Sequence, residues 1–301
     1  MSLLVEQVDR LALVEDLGRP GHRALGVPPS GAADRTTLRA LNRLLGNDPG
    51  AAAVETLLGG LRLQVEAPVT VAVGGAPCVV TVDDQQVGLG LPVALAAGQT
   101  LTLGAASAGL RTYLAVRGGV AESVDVPTVL GSLSSDPTSG LGPAPLRPGV
   151  RLEVGRPAGA VAVDQQVAPF ALPTTGLTLG ATWGPRADWL TGASRDRLDG
   201  AWTVSADTDR VGVRLDGPAL DRSRDDQLPS EGWCAAACRC RPTAAPSCSS
   251  PTTPPPAAIR WSPCSTRPRP TCWPSSPPAP TYAFGCARAG SRGYRDGRHA
   301  G

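Results

Sequence analysis

The densest group of residues able to do chemistry lies near the N-terminus: Asp16-Leu17-Gly18-Arg19-Pro20-Gly21, then Gly26-Val27-Pro28-Pro29-Ser30-Gly31, then Asp34. Glycines at this density permit left-handed turns and let backbone approach a ligand closely, while Asp16, Arg19, Ser30 and Asp34 bring charge and hydroxyl groups to one loop. Such a loop suits a small polar anion. The competing reading is a connector in which Asp16 pairs with Arg19 while Ser30 and Asp34 cap a following helix. A second group, Ser205 to Gly217, carries Asp207, Asp209, Arg210 and Arg214 among the alternating Val211, Val213 and Leu215. Charges placed this way on a strand are ordinarily solvated or weakly paired. Pro229-Ser230-Glu231-Gly232 adds a carboxylate beside a glycine. His22 and His299 are the only histidines, which leaves little material for a histidine zinc site or a Ser-His-Asp triad. His22 lies in the first loop, either as a base or as an exposed side chain.

What is missing excludes whole classes of activity. The 28 basic residues are all arginine. Without lysine the chain has no P-loop, no Schiff-base amine and no attachment point for biotin or lipoate. No apolar run approaches the roughly 18 residues that cross a bilayer, and Glu6 and Asp9 stand where a signal peptide would be basic and then apolar. These features predict a soluble cytoplasmic protein that does not use a membrane. Charge also divides the chain. Residues 1–233 carry 19 arginines and 25 acids, a net of −6, whereas residues 234–301 carry nine arginines and one acid, Asp296, a net of +8. Seven of the eight cysteines and 13 of the 31 prolines fall after the break near Trp233.

The elements that must hold these groups read as mainly β. Leu61–Val65, Val69–Val73, Val79–Val82, Thr100–Leu103, Thr112–Val116 and Arg151–Val154 are short, rich in β-branched or alternating apolar residues and separated by Gly, Pro and Asp turns. That is the pattern of sandwiches and barrels. One helix is predicted after Asp34, with Leu38, Leu41, Leu44 and Leu45 on its apolar face and Gly46-Asn47 as its stop. A second lies between Arg186 and Leu198. A junction between two β units is expected near 134–150, in a stretch rich in Ser, Gly and Pro.

Several of these runs, in order, resemble the allophanate-hydrolase-subunit-2 family, which includes a 5-oxoprolinase subunit and one half of the urea carboxylase carboxyltransferase domain. The resemblance is carried by Val14 to Gly21, Leu25 to Asp34, Asn42 to Asn47, Glu55 with Gly59-Gly60, Tyr113 to Val116 with Gly118-Gly119, and Val129 to Ser132 with Asp136. It continues through Gly184-Pro185-Arg186 with Asp188-Trp189, Trp202 to Ser205, Asp209 to Gly212 with Arg214-Leu215, and Pro229 to Gly232. The resemblance implies cyclophilin-like β-barrel subdomains over residues 1–233, and a subunit-1-type companion with the active site between the two. It further implies a lactam-utilisation subunit, a small cyclic amide substrate, and ATP-dependent hydrolysis of 5-oxoproline to glutamate. Asp16, Asp34 and Glu231 are then the candidate acids, and Arg19, Ser30, Gly31 and Arg210 the candidate substrate ligands. Two residues depart from the family pattern: Ala33, where it has Met, and Leu133, where it has Arg. Two alternatives share the resemblance: carboxyl transfer from carboxybiotin to urea or a similar amide, and a non-catalytic regulator that binds a sensor kinase with its partner subunit.

The tail, 234–301, reads as out of frame and disordered. The family continues past Glu231-Gly232 with two valines, and dropping one G from GGG GTG GTG C gives GGG TGG TGC, which reads Gly232-Trp233-Cys234. Reading the codons of Pro254 to Pro263 one nucleotide early permits the Pro-Thr-Thr-Gly-Gly-Tyr-Pro motif that the family places there. Cys234, Cys238, Cys240 and Cys248 have spacings that fit no paired zinc knuckles, and no histidine stands near them. The arginines lack the aromatic interleaving of a nucleic-acid surface. The second β unit is therefore expected to be incomplete and the chain's activity impaired.

Overall fold

A computed structural model of the chain describes residues 1–162, 165–167, 179, 181, 183–184, 186–210, 212–224 and 226, together with three short strands in the tail. Every strand predicted from the sequence is present. In chain order the elements are β1 (Ser2–Val8), β2 (Leu11–Glu15), α1 (Arg35–Leu44), β3 (Ala53–Leu57), β4 (Gly59–Val65), β5 (Val69–Gly75), β6 (Cys78–Val82), β7 (Gln85–Val87), β8 (Val93–Leu95), β9 (Thr100–Ala106), β10 (Arg111–Val116) and β11 (Arg151–Glu153). Then follow α2 (Gly192–Arg197), β12 (Ala201–Val204), β13 (Gly212–Asp216), β14 (Cys238–Cys240), β15 (Pro246–Ser249) and β16 (Thr281–Ala283).

All strand pairs among the described residues are antiparallel. One sheet runs β11-β1-β4-β9-β6-β7 and a second β2-β3-β10-β5-β8. Alternation along the strands builds the core between them: Leu3, Val5, Leu61, Leu63, Leu101 and Leu103 from the first sheet join Val14, Val54, Val71, Val73, Leu114 and Val116 from the second. The other face of the second sheet is covered by α1, whose Leu38, Leu41 and Leu44 lie with Leu45 against Ala53, Ala72, Tyr113 and Ala115. Each such buried leucine is worth roughly 1.5–3 kcal/mol. β10 is consequently buried along its whole length.

The stretch predicted as a junction follows the edge of this body. Ser135 N donates to Val14 O at 2.9 Å, Leu146 N to Ala12 O at 2.8 Å and Val5 N to Val150 O at 2.9 Å. β11 then returns to pair with β1, so the chain leaves the first body after β11. The predicted helix between Arg186 and Leu198 is split. A 3-10 turn (Ala187–Trp189) is followed by Leu190 in extended conformation, bridged to Arg222, before Thr191 caps α2 with a bond from Ser194 N at 3.2 Å. A residue held in a β-bridge cannot continue a helix.

β12 and β13 begin a third sheet, ordered β14-β15-β13-β12-β16. The sequence showed no strand in the tail, yet three short ones pair there. Strand pairing is made by backbone, so the open edges of β12 and β13 accept extended segments with little regard to side chain. The apolar core is thinner here: after Leu152 the buried apolar side chains among the described residues are Trp189, Leu190, Leu198, Trp202, Leu215 and Leu220. No helix among the described residues is long and apolar enough to cross a membrane.

Candidate functional site

The alternation that sends Val14, Val54 and Leu114 into the core sends Glu15, Glu55 and Tyr113 to the α1 side of the same sheet. Tyr113 pairs directly with Glu55 across β10 and β3, and Glu55 stands opposite Leu13, one pleat from Glu15. Two carboxylates are thereby fully buried. Glu55 is well served. Its Oε2 accepts from Tyr113 Oη at 2.8 Å and from Ala33 N at 3.0 Å, and its Oε1 meets Arg111 Nη1 at 3.5 Å and Arg210 Nη1. Arg210 arrives from the turn between β12 and β13, far along the chain. Its Nη2 donates to Gly31 O at 3.0 Å and lies 2.9 Å from Glu15 Oε1. At Glu15 the approach supplies charge but not hydrogen-bond angles, and neither carboxylate oxygen has a hydrogen-bond partner among the described residues.

These contacts set opposite protonation states. Burial pushes Glu15 up to about 8, against the pull of Arg210 and with help from the neighbouring Glu55 charge. Burial would raise Glu55 too, but Arg210, Arg111 and its two hydrogen bonds hold it below the usual carboxylate range. Tyr113 is pushed well above its ordinary value by burial and by Glu55, so it remains a donor. At neutral pH two guanidiniums face one carboxylate and one neutral acid. The cluster meets solvent through Arg111 and Arg210, whose side chains are 10% and 12% exposed.

The glycine loop forms a second network that abuts this one. Asp16 accepts from Ser132 Oγ (2.7 Å), Ser134 Oγ (2.6 Å), Leu133 N (2.8 Å) and Gly18 N (2.6 Å). Arg19, 1% exposed, donates to Val129 O (3.2 Å), Ser30 Oγ (3.1 Å) and Ser134 O, and Ser30 Oγ in turn donates a hydrogen bond to Asp136 Oδ2 at 3.1 Å. Asp16 and Arg19 therefore do not pair, and Ser30 does not cap the helix. Asp34 does: its carboxylate accepts from Thr36 N and Thr37 N, each at 3.0 Å, while its own N–H donates to Tyr113 Oη at 2.7 Å. The glycines were expected to admit a ligand, but Gly18 and Gly31 are pressed on protein backbone. A Cβ on Gly18 would stand 2.2 Å from Pro29 O, and one on Gly31 2.7 Å from Leu17 C. Both have positive φ, and their role is to let two limbs of the loop touch.

The sequence candidates thus fall into two groups. Asp16, Arg19 and Ser30 lie in the Ser132–Asp136 network, whereas Gly31, Asp34 and Arg210 converge on Glu55 and its partner Tyr113. Glu231 lies outside the described residues. Asp207 and Asp209 stay near the surface in the turn before β13, where Arg214 of that strand pairs with Asp209 at 3.0 Å. Glu15, Glu55, Arg111 and Tyr113 were not among the candidates. Their signal was present: a carboxylate inside an apolar run, as in Leu11 to Glu15 and Ala51 to Leu58, must find a partner when the run is buried.

The family model described as "Carboxyltransferase domain, subdomain A and B" matches residues 25–248, ending beyond the composition break at Trp233. A 5-oxoprolinase subunit of Escherichia coli (strain K12) is 37% identical over 223 residues, 73% of this chain and 70% of that protein. The urea amidolyase of Saccharomyces cerevisiae is 31% identical over 67% of this chain but only 11% of its own length. The crystal structure of the K. lactis urea amidolyase superposes with a TM-score of 0.73 at 25% identity, covering 86% of this chain and 17% of that one.

Proposed function

The chain belongs to the carboxyltransferase-domain family, subdomains A and B, and from that premise we propose that it is the subunit of an ATP-dependent 5-oxoprolinase complex that helps hold the lactam. The observation that carries this reading is the convergence of two guanidiniums, Arg210 and Arg111, on the buried Glu55 carboxylate beside Glu15, which burial pushes toward its neutral form. 5-Oxoproline is a cyclic amide with a carboxylate, and a pair of guanidiniums suits that carboxylate. Hydrolysis breaks the ring C–N bond, with water supplying hydroxyl to carbon and a proton to nitrogen. In this reading Arg210 and Arg111 orient the substrate, and Glu15, neutral while Glu55 is charged, is the group able to give or hold a proton near pH 7. The nucleotide is not assigned to this chain, which lacks lysine and whose Gly18 and Gly31 are closed against neighbouring backbone.

The test is reconstitution with the companion and lactam-utilisation subunits, using the full chain and a version with the reading frame restored after Gly232. Glutamate formation from 5-oxoproline, coupled to ATP hydrolysis, is expected only when all subunits are present. Full activity without this chain overturns the reading.

The 31% identity to urea amidolyase favours a second reading, carboxyl transfer to urea within a biotin-dependent complex. Biotin would have to arrive on another chain, since this one has no lysine to carry it. Urea itself is neutral, but the carboxyl group transferred to it is an anion, so the two arginines suit either reading and turnover separates them. Urea- and biotin-dependent turnover, with none on 5-oxoproline, would establish the second reading over the first.

A further inference from the structure

We propose that the outer face of α1, with the Arg23–Leu25 turn beside it, docks an acidic face of the companion subunit; this rests on the reading above that the chain works with such a companion. α1 reads Arg-Thr-Thr-Leu-Arg-Ala-Leu-Asn-Arg-Leu and contains no acid. Its leucines are spent on the sheet. Arg35, Arg39 and Arg43 recur every fourth residue, so each step turns about 40° and the three form one stripe on the other side. Arg39 and Arg43 are exposed and make no ion pair or side-chain hydrogen bond among the described residues. Arg35 is half-buried. Its Nη2 donates to Ser30 O at 3.0 Å, and its Nε is buried without a partner among the described residues.

Taken alone, this arrangement is unfavourable. Like charges four residues apart destabilise a helix, and Arg35 stands at the first helical position, at the positive end of the helix dipole. The guanidinium of Arg35 titrates below its ordinary value, through burial first and then the charge of Arg39, with Arg23 adding to it while Asp16 and Glu15 oppose. An arriving row of carboxylates would offset the repulsion among these charges. Leu25, 78% exposed on the turn that carries Arg23, offers the same partner an apolar contact.

The charge distribution favours a protein over a nucleic acid. α1 is only about 15 Å long and has no aromatic residue between its arginines. Residues 1–233 carry a net charge of −6, so a polyanion extending past the stripe would meet repulsion. An acidic patch confined to one face of a partner avoids that.

The full chain and the purified companion subunit are titrated by calorimetry at about 50 and 300 mM salt. Arg39→Glu is expected to weaken binding about ten-fold or more at low salt, with the difference shrinking at high salt. The same substitution should leave Tm unchanged or raise it by about 1–3 °C, because the new carboxylate sits four residues from both Arg35 and Arg43. Arg147→Glu, an exposed charge elsewhere, is expected to bind as wild type. Unaltered affinity of the Arg39→Glu, Arg43→Glu double variant overturns the docking surface and leaves the companion reading intact. Equal losses in Arg39→Glu and Arg147→Glu overturn it as well, since the effect would then be one of net charge. Failure of the wild-type chain to bind the companion removes both proposals, and duplex DNA binding that depends on Arg39, without companion binding, replaces the partner with a nucleic acid.

Discussion

Glu15 makes the stability of this protein depend on pH in a direction opposite to that of most carboxylates. Its side chain is fully buried, both oxygens lack hydrogen bonds among the described residues, and its pKa stands at about 8 against an ordinary value near 4.5. Between those two values the unfolded chain has released the proton and the folded chain keeps it. Stability from this group is therefore complete below about pH 4.5 and is lost as pH rises through 8, at roughly 1.4 kcal/mol per pH unit. The whole window amounts to about 5 kcal/mol, comparable with the total stability of a modest domain. Glu55 does not mask the slope. Its pKa is depressed, so its contribution is present above the unfolded value and is lost only on further acidification. Glu15→Gln keeps the shape and removes the titration. Urea melts from about pH 5 to pH 9 at fixed ionic strength should show a falling curve for wild type and a nearly flat one for Glu15→Gln. The two should be close at about pH 5, and the variant the more stable by several kcal/mol at about pH 8.5. Parallel curves would refute the reasoning, because the proton would then not reside on Glu15.

Arg210→Met should cost about 3–5 kcal/mol by leaving the buried Glu55 with the more distant Arg111, at 3.5 Å, as its one guanidinium among the described residues. Arg210→Lys should not restore the loss, since one ammonium cannot reach Glu15, Glu55 and the Gly31 carbonyl together; a full recovery of Tm would contradict the forked geometry. Tyr113→Phe removes both the donor to Glu55 and the acceptor of Asp34 N, an expected loss of about 1–3 kcal/mol on denaturant melts. If the tail is out of frame, inserting one G after the Gly232 codon should raise the protease resistance of residues 186–226, whose buried apolar side chains are few among the described residues. If cleavage of the chain as it stands instead leaves a compact fragment ending near Trp233 with a cooperative melt, the second unit needs no other continuation.

The parts of the fold that were legible in the sequence are those where one physical signal decides. Asp34 followed by leucines at helical spacing specifies α1 and its cap, and runs such as Val69 to Val73 or Thr112 to Val116 between turn residues specify strands. β2 and β3 escaped because both faces of their sheet are covered. Leu11 to Val14 is apolar at every position, so the alternation that marks a half-buried strand is absent. The site escaped for a related reason. Asp16, Arg19 and Ser30 attracted notice by being clustered in sequence, and they prove to be satisfied almost wholly by one another and by the Ser132–Asp136 segment. Glu15, Glu55 and Arg210 are scattered over the chain, and only the register of β2, β3 and β10 brings two of them onto one face for the third to reach. Sequence clustering thus located the scaffold of the loop, whereas the buried charge arises where a residue is isolated in an apolar strand. Of the four residues at the cluster's centre, Arg210 alone was a candidate from the sequence, and it is the one that binds the second half of the chain to the first. A change there should be felt both in the site and in the seam between the two bodies.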